Sequence, residues 1–290
     1  MTRHLLTGTE LDRDELLALL DRADALKAAP LSSRALEGRS VALIFEKPST
    51  RTRLSFEAGI FELGGQPVVL RADELQLSRG ESVADTARIL SRHMAAIGVR
   101  TGPDALLAEL ASVATVPVFN MLTAGHHPCQ AFADLMTLRE TFGRLEGLKL
   151  AYVGDGNNVA RSLALVGALA GVEVAIASPE GYTLADVPEA RLTTDPAEAV
   201  AGADAVYADV WVSMGDEETA DERRAALAPY RLDDALLDLA APGAIALHCL
   251  PAHPGEEITE ELLYGARQRI WDQAENRRHV QKALLELLLR

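Results

Sequence analysis

The apolar residues of this chain alternate between short continuous runs and longer stretches in which they recur every three or four positions. Runs such as residues 41–45 and 149–153 have the length and composition of buried strands. Stretches such as residues 83–93 and 158–170 have the period of amphipathic helices. Strands separated by helical crossovers predict parallel sheets, so the pattern indicates an α/β fold.

The same pattern predicts the order of the elements. Strands are expected at residues 41–45, 66–71, 95–99, 116–120, 149–153, 172–177, 205–208 and 244–247. Helices are expected from a cap at Thr9 or Asp12 through Leu26, from Leu54 through Phe61, and at residues 83–93, 104–114, 128–142, 158–170, 195–201, 221–228, 256–265 and 276–289. The elements form two series joined near residues 142–147. We therefore predict two α/β domains with parallel sheets, at 1–142 and 147–275, and a C-terminal helix at 276–290 that packs back on the first domain.

Composition narrows the class of protein. At 290 residues and 48% hydrophobic content, the chain is long enough for two domains with cores of their own. No apolar run approaches the roughly 20 residues that span a bilayer, and the first residues are polar, so we expect a cytoplasmic protein. A net charge of −15 argues against nucleic acid and anionic membranes as partners. Cys129 and Cys249 lack metal-ligand spacing, so neither a disulfide framework nor a metal site is expected.

The charge is unevenly spread along the chain. Residues 46–100 carry eight basic and seven acidic side chains, a balance of +1, which leaves −16 for the rest. A locally cationic region in an acidic protein suits a small anionic ligand. A charged surface that happens to balance is the alternative interpretation.

The junction at residues 49–53 is the clearest candidate site in this region. Its sequence, Ser-Thr-Arg-Thr-Arg, follows the predicted strand 41–45 and begins a predicted helix. The first amides of a helix have no internal partner and carry partial positive charge, and arginine and hydroxyl side chains add donors. The junction is therefore a good receptor for a phosphate. A capped helix whose arginines are only solvated is the alternative.

Other polar clusters also follow predicted strands. Arg100 follows the strand 95–99, and His127 and Gln130 flank the entrance of the helix that Pro128 begins. Ligands of α/β proteins bind at the carboxyl ends of parallel strands, which makes these side chains candidates for a binding site. A surface arginine and a structural histidine are the alternatives.

The second series has three such clusters. Residues 154–158 follow a predicted strand and partly resemble a dinucleotide turn, but the third glycine of that motif would be Val159, so a nicotinamide enzyme is a minor alternative. Paired asparagines there can instead hold the carboxylate of an amino acid. Asp209 and Ser213 offer a carboxylate and a hydroxyl for an ammonium, and residues 248–251 again follow an apolar strand.

Taken together, these motifs resemble the ornithine carbamoyltransferases along essentially the whole chain. Residues 45–53 and 127–130 are similar to the carbamoyl-phosphate half of that family, which aspartate carbamoyltransferases share in related form. Residues 154–158, 209–215 and 248–251 are similar to the ornithine half and separate the two families. The resemblance implies a first domain that binds carbamoyl phosphate and a second domain that binds ornithine.

The resemblance also implies a role for each matching residue. Carbamoyl phosphate would be bound by Ser49, Thr50, Arg51, Thr52, Gln76, Arg100, His127, Gln130, the backbone of Leu250, and Arg277. Within this set, Thr52, Arg100 and His127 would polarise the carbonyl, and Gln76 would reach a neighbouring subunit. Ornithine would be bound by Asn158, Asp209, Ser213, Met214 and Cys249, with Asp209 and Cys249 near the attacking amine.

The implied reaction is attack of the neutral δ-amine of ornithine on carbamoyl phosphate, giving citrulline and phosphate without a metal or organic cofactor. The implied enzyme is a homotrimer or multiple of trimers in arginine biosynthesis, although the same site would serve arginine catabolism. Three alternatives remain: a related carbamoyltransferase acting on N-acetylornithine, putrescine or aspartate, a non-catalytic ligand-binding subunit, and a dinucleotide enzyme. Asp209, Ser213 and Asn158 favour an acceptor with a free α-ammonium and α-carboxylate, as in ornithine.

Overall fold

Two parallel sheets, one in each half of the chain, carry the fold. The computed structural model describes residues 2–71, 73–76, 80–213, 215 and 217–290. By compactness they divide into unit 1, which comprises residues up to 136 together with 275–290, and unit 2, which comprises residues 137–274. The predicted alternation of parallel strands and helices is confirmed in both units.

Unit 1 contains a four-stranded sheet. Its strands are β1 (Ser40–Phe45), β2 (Gln66–Arg71), β3 (Ala96–Arg100) and β4 (Val118–Leu122). Its helices are α1 (Arg13–Ala28), α2 (Thr50–Glu62), α3 (Val83–His93), α4 (Asp104–Val113), the first part of α5 (Pro128–Phe142) and the last part of α11 (Ile270–Leu288).

The order of strands in this sheet places two candidate segments side by side. The order is β2-β1-β3-β4, so the direction of the crossovers reverses between β1 and β3. Ligands of open α/β sheets bind outside the carboxyl ends of strands at such a reversal. The amide of Glu46 donates to the carbonyl of Arg100 at 2.9 Å, and the Glu46 carboxylate accepts from the amide of Gly102 at 3.0 Å. Residues 49–53 and Arg100 therefore lie at the carboxyl ends of neighbouring strands, and hydrogen bonds join these two ends.

The C-terminal helix α11 packs on unit 1, as the sequence predicts. Lys282 of this helix is fully buried, and its ammonium donates to the carbonyl of Leu26 at 3.2 Å and to the carboxylate of Glu62. A buried ammonium is tolerated only with such partners, so these contacts hold the helix in place. Helix α11 begins at residue 270 rather than at the predicted 276, so Arg277 lies about two turns inside the helix.

Unit 2 contains a five-stranded sheet. Its strands are β5 (Lys149–Val153), β6 (Glu173–Ala177), β7 (Ala190–Thr193), β8 (Ala205–Ala208) and β9 (Ile245–His248). Its further helices are α6 (Asn158–Ala170), α7 (Pro196–Val200), α8 (Ala220–Leu227), α9 (Asp234–Leu237) and α10 (Glu260–Tyr264). The strand order is β7-β6-β5-β8-β9, so the reversal lies between β5 and β8. The candidate segments at 154–158 and at Asp209 follow these two strands.

The sequence pattern missed two short elements of unit 2. Strand β7 lies at the edge of the sheet and is mostly polar and exposed, so it lacks the apolar run by which the other strands are found. Helix α9 has only four residues, which is too short to show a helical period.

Helix α5 crosses from one unit to the other. Compactness divides this helix at residue 136, whereas the sequence places the join after the helix, at 142–147. The domain limits of 1–142 and 147–275 therefore stay a prediction. Among the described residues, no helix combines the length and the hydropathy that crossing a membrane requires.

Candidate active site

The start of α2 in unit 1 has features that favour an anion. Ser49 is the residue that caps this helix, and its hydroxyl accepts from the amide of Thr52 at 3.4 Å. The first turn contains no acidic residue, so the partial positive charge of the helix end is not neutralised within the helix. Thr50 is exposed and Arg51 is half-buried in this turn. The predicted junction of strand, cap and helix is thus present, with its hydroxyls and Arg51 at one helix end.

Arg53, the last residue of the junction, turns away from this role. Its guanidinium donates to the carboxylate of Glu57, one turn further along the same helix, at 3.0 Å. The side chain is 55% exposed. An exposed pair of this kind is a surface feature, so Arg53 is not placed to bind an anion at this helix end.

A buried chain of hydrogen bonds links α2, α5 and α11. Arg277 is 3% exposed, and it donates to the hydroxyl of Thr52 at 2.9 Å and to the side-chain carbonyl of Gln130. Gln130 in turn donates to the carboxylate of Asp134 at 2.8 Å. Because the Thr52 hydroxyl accepts from Arg277, its own hydrogen points elsewhere and can be donated to a ligand. Three predicted residues are therefore brought together, although they lie far apart in the sequence.

Sequence reasoning missed Asp134. This carboxylate is fully buried and accepts from Gln130, one turn earlier on the same helix. Its signal in the sequence is a single acidic residue within an otherwise apolar helical stretch, since such a residue needs a buried partner.

His127 and Arg100 complete the group in unit 1. Burial, and then the positive charges of Arg277 and Arg100, hold the pKa of His127 well below its ordinary value. The imidazole is therefore neutral near pH 7 and can act as a hydrogen-bond donor, but not as a cation. Arg100 is the last residue of β3 and is half-buried. The positive charge of Arg100 helps to lower the pKa of His127, so the two side chains share one electrostatic environment.

Gln76 is the remaining predicted residue of unit 1. It is exposed in the segment after β2, and its carbonyl accepts from the amide of Glu81 at 3.1 Å. Residues 77–79, which follow it, are outside the described part of the chain. In the single chain, Gln76 therefore lies at the surface.

Asp209 is the centre of the group in unit 2. It is 5% exposed and directly follows β8. One carboxylate oxygen accepts from the side-chain amide of Asn157 at 2.7 Å, and the other accepts from the thiol of Cys249 at 2.8 Å. These contacts join the segments after β5, β8 and β9, so the strand-end loops of this sheet meet at one buried carboxylate.

Asn157, which the sequence does not single out as a ligand, has a clear role in this geometry. Its side-chain oxygen accepts from the amides of Val159 and Ala160 at 2.9 and 3.2 Å, which caps α6. Its side-chain nitrogen is thereby turned towards Asp209. Asn158, the predicted ligand, is the first residue of the helix and is half-buried.

Arg223 of α8 ties the same loops together from the outside. It forms an ion pair with Asp155, its Nε donates to the carbonyl of Trp211 at 2.8 Å, and its guanidinium lies 5.1 Å from the centre of the Tyr182 ring. The side chains of the ion pair are only 13% and 14% exposed. No local pattern signals this contact, because Asp155 and Arg223 are 68 positions apart.

The remaining predicted residues of unit 2 lie in two loops. Ser213 is half-buried in the segment after Asp209, and Met214 is outside the described residues. Leu250 follows Cys249 and has a backbone φ of 60°. That left-handed conformation is disfavoured for leucine by roughly 1–2 kcal/mol, so the surrounding contacts must hold it.

Comparison with known proteins divides the chain in the same order. Residues 3–140 match the family described as aspartate/ornithine carbamoyltransferase, carbamoyl-P binding domain, and residues 146–288 match its Asp/Orn binding domain. The ornithine carbamoyltransferase of Acidothermus cellulolyticus is 54% identical, over 100% of this chain and 97% of its own. That of Parafrankia sp. is 52% identical, over 99% and 96%. The solved ornithine carbamoyltransferase from Pyrococcus furiosus is 44% identical with a TM-score of 0.93, over 98% and 96% of the two chains.

Proposed function

We propose that this chain, which belongs to the aspartate/ornithine carbamoyltransferase family, transfers the carbamoyl group of carbamoyl phosphate to the δ-amine of L-ornithine. The products are L-citrulline and phosphate. The observation that carries the proposal is identity of 52–54% to ornithine carbamoyltransferases over almost the whole length of both chains. The chemistry of the two groups of residues agrees with it, since one group suits a phosphate and the other an amino acid.

The group in unit 1 is proposed to hold the donor substrate. Ser49, Thr50, Arg51 and the first amides of α2 would bind the phosphate, which is the ligand that a helix start with no acidic residue favours. Arg100 would contact both the phosphate and the carbonyl oxygen.

The carbonyl oxygen becomes negatively charged when the amine attacks. Thr52, Arg100 and the neutral imidazole of His127 are proposed to donate hydrogen bonds to it, which lowers the energy of the tetrahedral intermediate. The buried Arg277 and Gln130, together with the backbone of Leu250, are proposed to orient the carbamoyl group. Since Arg277 is held by Thr52 and Gln130, it acts from a fixed position.

The group in unit 2 is proposed to hold the acceptor. Asp209 and Ser213 would bind the α-ammonium of ornithine, and Asn158 its α-carboxylate, with Met214 in the same loop. Cys249, whose thiol donates to Asp209, would lie near the δ-amine. The attacking amine must be neutral, and a carboxylate favours the ammonium form, so Asp209 orients the substrate rather than serving as a simple base.

The proposed step balances without a further reagent. A bond forms between the δ-nitrogen and the carbonyl carbon, the bond from that carbon to the phosphate oxygen breaks, and the amine loses one proton to the leaving phosphate or to solvent. An assembly of trimers in which Gln76 reaches the site of a neighbouring subunit, and a cytoplasmic location, remain predictions. The exposure of Gln76 is compatible with such a reach.

A panel of amines tests the acceptor. The purified protein, given carbamoyl phosphate, is expected to carbamoylate L-ornithine with a kcat/KM far above that for N-acetylornithine, putrescine or aspartate. Preference for another amine would overturn the assignment of ornithine. Binding of carbamoyl phosphate by calorimetry without turnover of any amine would instead support a non-catalytic subunit.

Arg100→Ala tests the proposed role in the carbonyl chemistry. Removing one donor to an oxyanion typically lowers kcat by about 10²- to 10³-fold. Arg88→Ala is a matched control, because Arg88 is an exposed arginine paired with Asp85. A folded Arg100→Ala variant that forms citrulline at a rate near the parental one would show that the proposed role of Arg100 is wrong.

A further inference from the structure

A buried carboxylate in unit 2 contacts the strand end that carries Cys249. Glu257 has no exposed surface, and one oxygen of its carboxylate accepts from the Nε2 of His248 at 3.0 Å and from the amide of His253 at 2.6 Å. The side chain of His248 is likewise fully buried. A carboxylate and an imidazole that are both removed from water must satisfy each other, so the pair is built into the fold.

The hydrogen bonds of His248 define which nitrogen carries its proton. The amide of Leu250 donates to His248 Nδ1 at 2.8 Å, and an amide can donate only to a nitrogen without a hydrogen. The hydrogen is therefore on Nε2, from which it is donated to Glu257. Glu257, His248 and the amide of Leu250 form one chain of hydrogen bonds with a single polarity.

We infer that Glu257 and His248 are positioning residues for the reaction, which hold Cys249 and Leu250 in the conformation that the acceptor site uses. The inference rests on the proposed function. The imidazole accepts from the amide two residues ahead of it, which closes a small ring around Cys249 and holds Leu250 at a φ of 60°. In this conformation the thiol of Cys249 meets Asp209 at 2.8 Å.

The other side of His248 is also anchored. Its backbone amide donates to the side-chain oxygen of Gln273 at 2.9 Å, and the Gln273 nitrogen donates to the hydroxyl of Tyr207 at 3.1 Å. Tyr207 belongs to β8, the strand that ends immediately before Asp209. These contacts therefore fix the position of His248 relative to β8, the strand that ends before Asp209.

Loss of the acceptor at Glu257 would allow the direction of the hydrogen bonds through His248 to reverse. Without a partner for Nε2, the imidazole is free to carry its hydrogen on Nδ1, where it would face the amide of Leu250 donor to donor. The segment at Cys249 and Leu250 would then leave its left-handed conformation, which leucine does not favour by itself. The amide group of a glutamine, by contrast, retains an oxygen that can accept from both donors.

The test compares Glu257→Leu with Glu257→Gln. Glu257→Leu is expected to raise the KM for ornithine by about tenfold, the effect of losing one buried hydrogen bond, while Glu257→Gln stays within about twofold of the parent. The matched control is Glu256→Leu, because Glu256 is the neighbouring carboxylate and pairs with Arg224 at the surface. The control is expected to keep the parental KM.

A second readout does not depend on catalysis. Cys249 is partly exposed, whereas Cys129 is buried and burial raises its pKa to about 12, so alkylation with iodoacetamide reports on Cys249. Glu257→Leu is expected to change the alkylation rate of Cys249 at least about threefold, and Glu257→Gln to leave it unchanged. A Cys249→Ser variant gives the background rate.

The outcomes separate the two proposals. A folded Glu257→Leu variant with the parental KM and alkylation rate would overturn the positioning role. If that variant does not fold, ¹⁵N NMR of histidine-labelled parental protein decides, because a hydrogen on Nδ1 of His248 would overturn the inference and one on Nε2 would support it. A parental protein that carbamoylates no amine would refute the proposed function, and the thiol and NMR readouts would still test the pair.

Discussion

The two units place their candidate residues at equivalent points of their sheets but give them opposite charge. In unit 1 the strand order reverses between β1 and β3, and in unit 2 between β5 and β8. At the first reversal Arg51 lies in the first turn of α2, Arg100 ends β3 and Arg277 contacts Thr52. The second has the buried carboxylate of Asp209 with an amide and a thiol. The topology thus decides where each ligand would bind, and the side chains of the loops decide which charge it has.

The two groups also differ in how they are assembled. Arg277 contacts Gln130 and Thr52 across 147 and 225 positions of the chain. In unit 2, Asp209 contacts Asn157 and Cys249 across 52 and 40 positions, from loops that follow adjacent strands. The cationic group therefore depends on the docking of α11, while the acidic group comes from loops that follow adjacent strands of one sheet.

Removal of Arg277 is expected to have the largest effect of the changes that separate the two groups. Arg277→Met removes a buried cation and leaves Gln130 and Thr52 without their shared donor. We expect kcat/KM for carbamoyl phosphate to fall about 10²- to 10³-fold, which steady-state kinetics would measure. The control is Arg278→Met, the next residue, whose guanidinium pairs with Glu62 and is 33% exposed. Equal losses in both variants would contradict a special role for Arg277.

Neutralisation of Asp209 tests the other side of the comparison. In Asp209→Asn, one carboxylate oxygen becomes an amide that meets Asn157 or Cys249 donor to donor. A lost hydrogen bond to a buried charged group corresponds to roughly 1.5–3 kcal/mol, so we expect the KM for ornithine to rise about 10- to 100-fold, with that for carbamoyl phosphate nearly unchanged. Asp238→Asn, at an exposed carboxylate that pairs with Arg267, is the control. A rise in the KM for carbamoyl phosphate alone would refute the division of roles.

Weakening the contact between Asp155 and Arg223 should have a smaller effect on the same substrate. Asp155→Asn keeps an acceptor for Arg223 but removes the charge of a largely buried ion pair, which loosens the loops after β5 and β8. We expect a rise of about fivefold in the KM for ornithine and little change in kcat. Asp221→Asn, at a fully exposed carboxylate of α8, should behave as the parent. An effect of the same size in that control would show that general loss of negative charge is responsible.

The smallest expected effect is on stability, and it comes from the buried His127 of unit 1. The pKa of His127 is well below its ordinary value of 6.5 in the folded protein, so below about pH 6.5 the unfolded chain binds a proton that the folded chain does not. The free energy of unfolding therefore falls as the pH drops below that value, by at most about 1.4 kcal/mol per pH unit for this group, and is unaffected above it. Urea denaturation between pH 5 and 8 should show a shallower decline for His127→Gln. If the variant shows the parental decline in the free energy of unfolding, groups other than His127 cause that decline.

The strands and helices could be predicted from the sequence because burial of a face leaves a local period. Strands such as β5 and helices such as α6 have apolar positions at the spacing of their own geometry. The polar residues at strand ends were predicted for the same reason, since a strand end is marked where its apolar run stops. Strand β7 was not predicted, because an exposed edge strand has no apolar run in the sequence.

The missed residues share a different property. Asp134, Asn157, Arg223 and Glu257 touch no proposed ligand, but each orients a side chain or segment that is proposed to do so. Asp134 follows its partner by one helical turn, whereas Arg223 lies 68 positions from its partner. Nothing in the local sequence around Arg223 distinguishes it from a surface arginine, so only the packed structure identifies its partner.

The sequence by itself determined the fold class, the strand ends and the types of residue available at each of them, because these follow from short-range periodicity and from the local chemistry of loops. Only the tertiary structure decided that Arg277 would meet Thr52 and Gln130, and that His248 would carry its hydrogen towards Glu257. Such contacts form when helices and strands pack, and packing joins groups by their position in space rather than by their separation along the chain.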